Sequence, residues 1–237
     1  MTVLIVGGGR GIGASLVSAL DRRGVEGVFT YRSSRTRATR LAARCSGWQA
    51  RQLDLLDEPE PRPAGILAAL GGKISTVLLC AAAGLESEPD ATGARTVNAT
   101  APANLVRGIA DTNRVPFGVV YVTSTDAHNH LPDRPDDEEP DMYELTARTK
   151  REGESLLASV ADASSTCRSF TAVVADLVVP STAHTIYRRR DPDLVDRLVS
   201  AGRWVDLAAV TDRLVDATLM SERGERLPRV IRVQHDA

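Results

Sequence analysis

Val3-Leu4-Ile5-Val6-Gly7-Gly8-Gly9-Arg10-Gly11-Ile12-Gly13 stands at the start of the sequence and decides its reading. A short apolar, β-branched run passes directly into five glycines within seven positions. An amphipathic stretch follows, with Leu16, Val17 and Leu20 on one face. The order is strand, glycine turn, helix. A glycine run alone is a weak signal, but one at a strand–turn–helix junction is strong. Glycine permits the tight turn, lets the backbone approach a pyrophosphate, and lets the helix pack close to the strand. Free N–H groups at the helix start then face the phosphates, aided by the helix dipole. Gly7, Gly9, Arg10, Gly11, Ile12 and Gly13 are therefore candidate dinucleotide contacts.

Outward from this turn, apolar runs alternate with helical patterns. Strands are expected at Val3–Val6, Gly27–Tyr31, Gln49–Leu53, Thr76–Cys80, Gly118–Thr123, Ser169–Val174 and Arg229–Val233. Helices are expected at Ile12–Asp21, Thr36–Arg44, Ala64–Leu70, Asn98–Asp111, Leu145–Ala161 and Asp206–Ser221. Regular βα alternation implies a parallel sheet with helices on both faces. Right-handed crossovers leave the doubly wound open sheet, the Rossmann fold, as the expected architecture. One α/β domain over residues 1–237 is expected, with a small C-terminal substrate-binding portion and a substrate lid at 181–204.

Composition narrows the class. The 237 residues carry 29 Lys plus Arg against 31 Asp plus Glu, and 43% are apolar. A chain of this length buries roughly three-quarters of its unfolded surface without staples. The near-neutral balance gives no electrostatic case for nucleic acid or an anionic membrane. The longest apolar run, Val77–Leu85, is too short for a spanning helix, and no signal peptide is read at the N-terminus. Cys45, Cys80 and Cys167 are odd in number and widely spaced. They form neither a disulfide framework nor a zinc spacing, so no metal and a cytoplasmic location are expected.

Two segments break the alternation. Asp133–Glu144 is densely acidic and reads as an exposed loop. Pro180–Pro192, with Arg188, Arg189 and Arg190, reads as a loop at the carboxyl edge of the sheet. It is either a lid with an anion clamp or a solvated basic turn.

The end of the second strand bears on cofactor choice. NAD binders place an acid there for the ribose 2′-hydroxyl. This chain has Tyr31-Arg32-Ser33-Ser34-Arg35 and no acid. The planar fork of Arg32 suits a 2′-phosphate, and Arg10 adds a second cation. NADP is expected over NAD.

These stretches together resemble the short-chain dehydrogenase/reductase superfamily over most of the chain. Gly7–Gly13 is similar to its glycine turn. Asp54-Leu55 looks like its adenine-contacting pair, and Ala81-Ala82-Ala83-Gly84 sits where the family has Asn-Asn-Ala-Gly. Asn98 matches the structural active-site asparagine. Thr123-Ser124-Thr125-Asp126 matches the catalytic hydroxyl segment, with Ser124 picked by the shorter members and Thr125 by the extended ones. Lys150-Arg151-Glu152-Gly153-Glu154 and Val205-Asp206-Leu207-Ala208 resemble the epimerase/dehydratase branch, of which this would be a compact, atypical member. The resemblance implies a homodimer through the helices at Asn98–Asp111 and Leu145–Ala161.

One position departs from the pattern. The family's reactive pair is Tyr-x-x-x-Lys, and here Lys150 is preceded by Thr146. An aliphatic hydroxyl is a very poor acid beside a phenol, so it cannot replace it in kind. Three substitutes are open. Tyr143 lies two helical turns before Lys150, and its side chain leans away from it. Asp126 would serve as an acid if burial raised its pKa. His128 and His130 are the third, while His128-x-His130 alone is a weak metal signal.

Three functions fit these residues. The leading one is an NADP-dependent oxidoreductase acting on a small carbonyl or sugar-like substrate. The others are a redox-neutral dehydratase, epimerase or cyclase, and a non-catalytic NADP(H)-binding protein.

Overall fold

A computed structural model describes residues 2–57, 64–85, 90–130 and 142–234. Seven parallel strands run in the order β3-β2-β1-β4-β5-β6-β9. They are β1 (Thr2–Val6), β2 (Glu26–Tyr31), β3 (Trp48–Gln52), β4 (Thr76–Leu79), β5 (Phe117–Ser124), β6 (Cys167–Ala175) and β9 (Val230–Val233). Two short strands, β7 (Leu177–Val179) and β8 (Trp204–Asp206), pair separately and in parallel. The helices are α1 (Gly11–Asp21), α2 (Arg35–Arg44), α3 (Ala64–Ala69), α4 (Ala91–Arg95), α5 (Ala101–Thr112), α6 (Thr125–His128), α7 (Met142–Ala163), α8 (Thr182–Arg190), α9 (Pro192–Ser200) and α10 (Leu207–Glu222).

Period-two alternation along the strands makes the two cores. Leu4 and Val6 of β1 join Val77, Leu79, Val119 and Tyr121 under α3, α5 and α7. Val3 and Ile5 face the other way, with Leu78, Val120 and Val122, under α1, α2 and α10. β4 is buried along its whole length, as a central parallel strand covered on both faces should be. Each such buried Val, Leu or Ile contributes about 1.5–3 kcal/mol.

Strand order reverses between β1 and β4, because β1 connects to β2 on one side while β4 connects to β5 on the other. Ligands of doubly wound sheets bind at this point, at the carboxyl ends of the strands. The chain closes it tightly: a Cβ on Gly7 would lie 2.7 Å from the Ala81 nitrogen just past β4.

The expected strands and long helices are present within one to three residues of their reading, with three differences. Pro180–Pro192 is not a loop. Ser181 caps α8 by accepting from the His184 N–H, and Asp191 caps α9 through the Leu194 N–H with Pro192 at its first position. The helix expected from Asn98 begins instead as a π-helical turn, Thr96–Thr100, preceded by α4. Glu144, expected in the acidic loop, lies in α7, while 133–141 falls outside the described residues.

Candidate active site

The glycine turn is shaped by close approaches. Gly7 has φ +83°, a left-handed value that L side chains rarely adopt, and its N–H donates to Thr30 Oγ1 at 3.1 Å. Gly13 packs so closely on the Gly7 carbonyl that a Cβ has no room. Gly9 faces the Cβ of Tyr31, and Gly11, at φ +54°, faces Thr182 at the start of α8. Arg10 precedes α1 without a side-chain hydrogen bond to its first turn. The leading N–H groups of α1 thus lack a side-chain acceptor and can meet a phosphate. A cavity of about 390 Å³ opens here, bounded by Gly9–Gly11, by Arg37, Leu41 and Arg44 of α2, and by Pro180–Thr182 and Thr185. A larger depression of about 640 Å³ runs along α2 alone, apart from the glycine turn.

Arg32 is exposed, and its Nε donates to Asp54 Oδ2 at 3.1 Å. Ser33 beside it is exposed, and Leu55 next to Asp54 is buried. So two expected cofactor contacts, Arg32 and Asp54, hold one another. An exposed pair of this kind is worth about 0–1 kcal/mol, which a phosphate dianion can overcome. Arg37 and Arg44 beside the turn were not anticipated. Their signal was a stretch from Gly27 to Leu53 with six arginines and no acid.

Past β4, Ala82 is exposed while Ala83 is buried. Asn98 grips Ala83 twice: Oδ1 accepts from its N–H and Nδ2 donates to its carbonyl, both at 3.0 Å. Nδ2 also donates to Thr149 Oγ1 at 2.9 Å. The Asn98 carbonyl accepts from Tyr121 OH at 2.8 Å and crowds Gly153 so that no Cβ fits there. The π turn therefore serves as a hub joining the β4 loop, β5 and α7.

Thr146, Lys150 and Glu154 recur every four residues, so they share one face of α7. All three are buried. Thr146 lies beside Gly84: a Cβ on that glycine would be 2.9 Å from Thr146 Oγ1. Lys150 Nζ donates to the Val122 carbonyl at 2.8 Å and stands 5.0 Å from the Tyr121 ring centre. Burial lowers its pKa to about 8, opposed by the attraction of the Glu154 carboxylate. Burial pushes the Cys80 thiol up to about 12, so it stays neutral near pH 7. Glu154 accepts from Thr123 Oγ1 at 2.8 Å, lies 2.8 Å from His128 Nδ1, and accepts from Arg151 at 3.1 Å.

The segment Thr123–Asp126 ends β5 and opens α6. Ser124 Oγ accepts from the Ala127 N–H at 3.2 Å, capping the turn, and Thr125 is half-buried beside it. Asp126 does not have the burial that an acid role required. Its side chain is 65% exposed and paired with Arg203 at 2.6 Å. The α6 turn aims it outward, away from the apolar core. Tyr143 is not beside Lys150 either: its ring packs edge-on against Tyr187 of α8, centres 4.8 Å apart. His128 is the substitute that the fold brings against α7.

Among the described residues, no group of three or more His, Cys, Asp or Glu side chains could hold a metal. Among them also, no helix is long and apolar enough to cross a membrane.

No family model and no curated protein matches this chain. Solved structures match closely in shape. A 3-oxoacyl-[acyl-carrier protein] reductase from Brucella melitensis, in complex with NAD, has a TM-score of 0.72 at 17% identity, covering 98% of this chain and 95% of its own. A short-chain dehydrogenase/reductase from Saccharomyces cerevisiae reaches 0.76 at 17% identity with the same coverage. BdcA in complex with NADPH reaches 0.69 at 21% identity, covering 98% of this chain and 92% of its own. The chain thus has the short-chain dehydrogenase/reductase fold, and the glycine turn lies at the switch point of that fold.

Proposed function

We propose that this protein is an NADP(H)-dependent oxidoreductase acting on a small carbonyl or sugar-like substrate, with a proton donor other than tyrosine. The observation that carries the reading is the glycine turn at the β1/β4 switch point, with Gly7 against Ala81 and no side chain capping α1. Its backbone fits a dinucleotide pyrophosphate. Gly7, Gly9, Arg10, Gly11, Ile12 and Gly13 hold the phosphates. Tyr31, Arg32 and Ser33 lie at the 2′-phosphate, Asp54 and Leu55 at the adenine, and Ala81, Ala82, Ala83 and Thr123 along the cofactor's path. The bound nicotinamide supplies or accepts hydride. Lys150 orients the nicotinamide end, Asn98 sets the geometry around it, and Ser124, Thr125 and Thr146 offer hydroxyls to the substrate oxygen. The α8–α9 segment covers the site as its lid. A 3-oxoacyl-[acyl-carrier protein] reductase in complex with NAD and BdcA in complex with NADPH, both of this fold, support a nicotinamide cofactor.

A redox-neutral reaction is favoured by one observation, the buried threonine where a phenol would donate. Turnover without net change in the cofactor separates it from reduction. A homodimer through α5 and α7, and a cytoplasmic location supported by three free cysteines, complete the proposal.

Titration by cofactor fluorescence tests the reading. NADPH should bind at least about tenfold tighter than NADH, about 1.4 kcal/mol. Arg32→Ala should narrow that gap, and Gly11→Val should abolish binding of both. Equal wild-type affinities would remove the 2′-phosphate assignment, and no binding of either would remove the function.

A further inference from the structure

We propose that His128 is the general acid–base residue of this site and that Glu154 is its positioning residue. The inference rests on the oxidoreductase reading above. α6 leaves the carboxyl end of β5, where a doubly wound sheet places its substrate. It is pinned at its start by Ser124 Oγ and at its side by the Asp126–Arg203 pair. His128 ends this turn with Nδ1 2.8 Å from Glu154 Oε2. The Glu154 side chain is 5% exposed, and both its oxygens are engaged, Oε1 by Thr123 and Oε2 by His128 and Arg151.

A buried carboxylate on one imidazole nitrogen fixes the tautomer and the ring orientation, leaving the other nitrogen for proton transfer. The His128 side chain is 18% exposed, and Nε2 has no protein partner among the described residues and is not sealed from solvent. Arg151 already meets the charge of Glu154, so neutralising that carboxylate does not by itself require a histidine. Of the rivals, Asp126 is exposed and paired with Arg203, and the Tyr143 ring packs on Tyr187 of α8, two helical turns from Lys150.

The step balances simply. His128 gives its Nε2 proton to the carbonyl oxygen as the carbonyl carbon receives hydride from bound NADPH. The C=O π bond breaks, its electrons becoming the O–H bond. The ketone is reduced to an alcohol and NADPH is oxidised to NADP⁺. The neutral imidazole then regains a proton from solvent through its exposed edge.

The test uses 2,2,2-trifluoroacetophenone as the probe ketone with saturating NADPH. His128→Gln should lower kcat at least about tenfold while NADPH affinity stays unchanged. His128→Gly should be similarly slow and should regain turnover with added imidazole, which a purely structural role would not allow. Glu154→Gln should lower kcat with little change in KM. Independently of activity, diethyl pyrocarbonate should label His128 in the folded protein, read by peptide mass spectrometry, because Nε2 is open. Unchanged kcat in His128→Gln, loss without imidazole rescue, or a His128 labelled only after unfolding would overturn the assignment. So would a wild type that binds NADPH yet leaves the ketone untouched. A wild type that does not bind NADPH removes instead the functional reading beneath it.

Discussion

The glycine turn and the inner face of α7, which our proposal assigns to one site, are built in opposite ways. The turn is local. Its shape comes from backbone freedom within seven consecutive residues, and its donors are main-chain N–H groups. The α7 face is assembled from distant segments: Asn98 from the π turn, Val122 and Thr123 from β5, His128 from α6, and Lys150 and Glu154 from α7. Its parts are mostly buried side chains, some of them charged, together with the Val122 carbonyl and the half-buried His128. The difference teaches that the two can change separately. Thr146, one turn before Lys150, offers only an aliphatic hydroxyl, while the glycine turn keeps its close backbone packing.

The largest effect should come from breaking the turn's packing. Gly13→Val drives a branched side chain into the Gly7 carbonyl and the Gly8 Cα. It should lower stability by about 3 kcal/mol, measured by urea denaturation, since overpacking of a tight site costs on that order. A wild-type midpoint would mean that the turn is looser than its geometry.

Thr146→Tyr asks whether the α7 face still tolerates a phenol. The ring must enter the space beside Gly84. Reduction of trifluoroacetophenone should rise about tenfold, near the low end for a placed acid once some loss of fit is allowed. A fall in rate would show that the face has repacked around threonine.

Protonation sharpens the contrast further, because the turn holds no buried ionisable group and α7 does. Lys150 goes from an ordinary 10.5 to about 8 on folding. Between those values the folded state binds fewer protons than the unfolded one, so stability rises with pH. Cys80, raised from 9.0 to about 12, and Cys167, raised to about 11, act in the opposite sense above pH 9. The clean window is therefore pH 8 to 9, where wild type should gain about 1 kcal/mol that Lys150→Met does not. Parallel profiles for the two proteins would place Lys150 in water.

The smallest effect belongs to Asp126→Asn. Its exposed pair with Arg203 should contribute under about 1 kcal/mol, and turnover should stay within about threefold of wild type. A loss comparable to that of His128→Gln would return the acid role to Asp126.

Much of the architecture was legible residue by residue. Val3–Val6 before the glycines, the apolar run at Thr76–Cys80 and the spacing of Leu16, Val17 and Leu20 each carry their own periodicity, and each folded as read. Thr146 and Lys150 were legible as one helical turn on a shared face, and Glu154 belonged to the same four-residue series without being singled out. The segment after β6 was misread because its prolines and arginines look like a loop. Ser181 and Asp191 in fact cap two helices, a function their neighbours in sequence did not announce. Asp126 stayed open as an acid in the sequence because burial depends on which way a four-residue turn faces.

The sequence by itself determined the doubly wound sheet, the place of the glycine turn and the threonine one helical turn before Lys150. These rest on period, spacing and residue type, which act within a dozen residues. Only the tertiary structure decided that Arg32 would meet Asp54, that Asn98 would bind the Ala83 backbone, and that His128 would find a buried carboxylate. Those contacts join residues from 15 to 26 positions apart across separate elements. Their partners are chosen by strand order and helix docking, which no local pattern encodes.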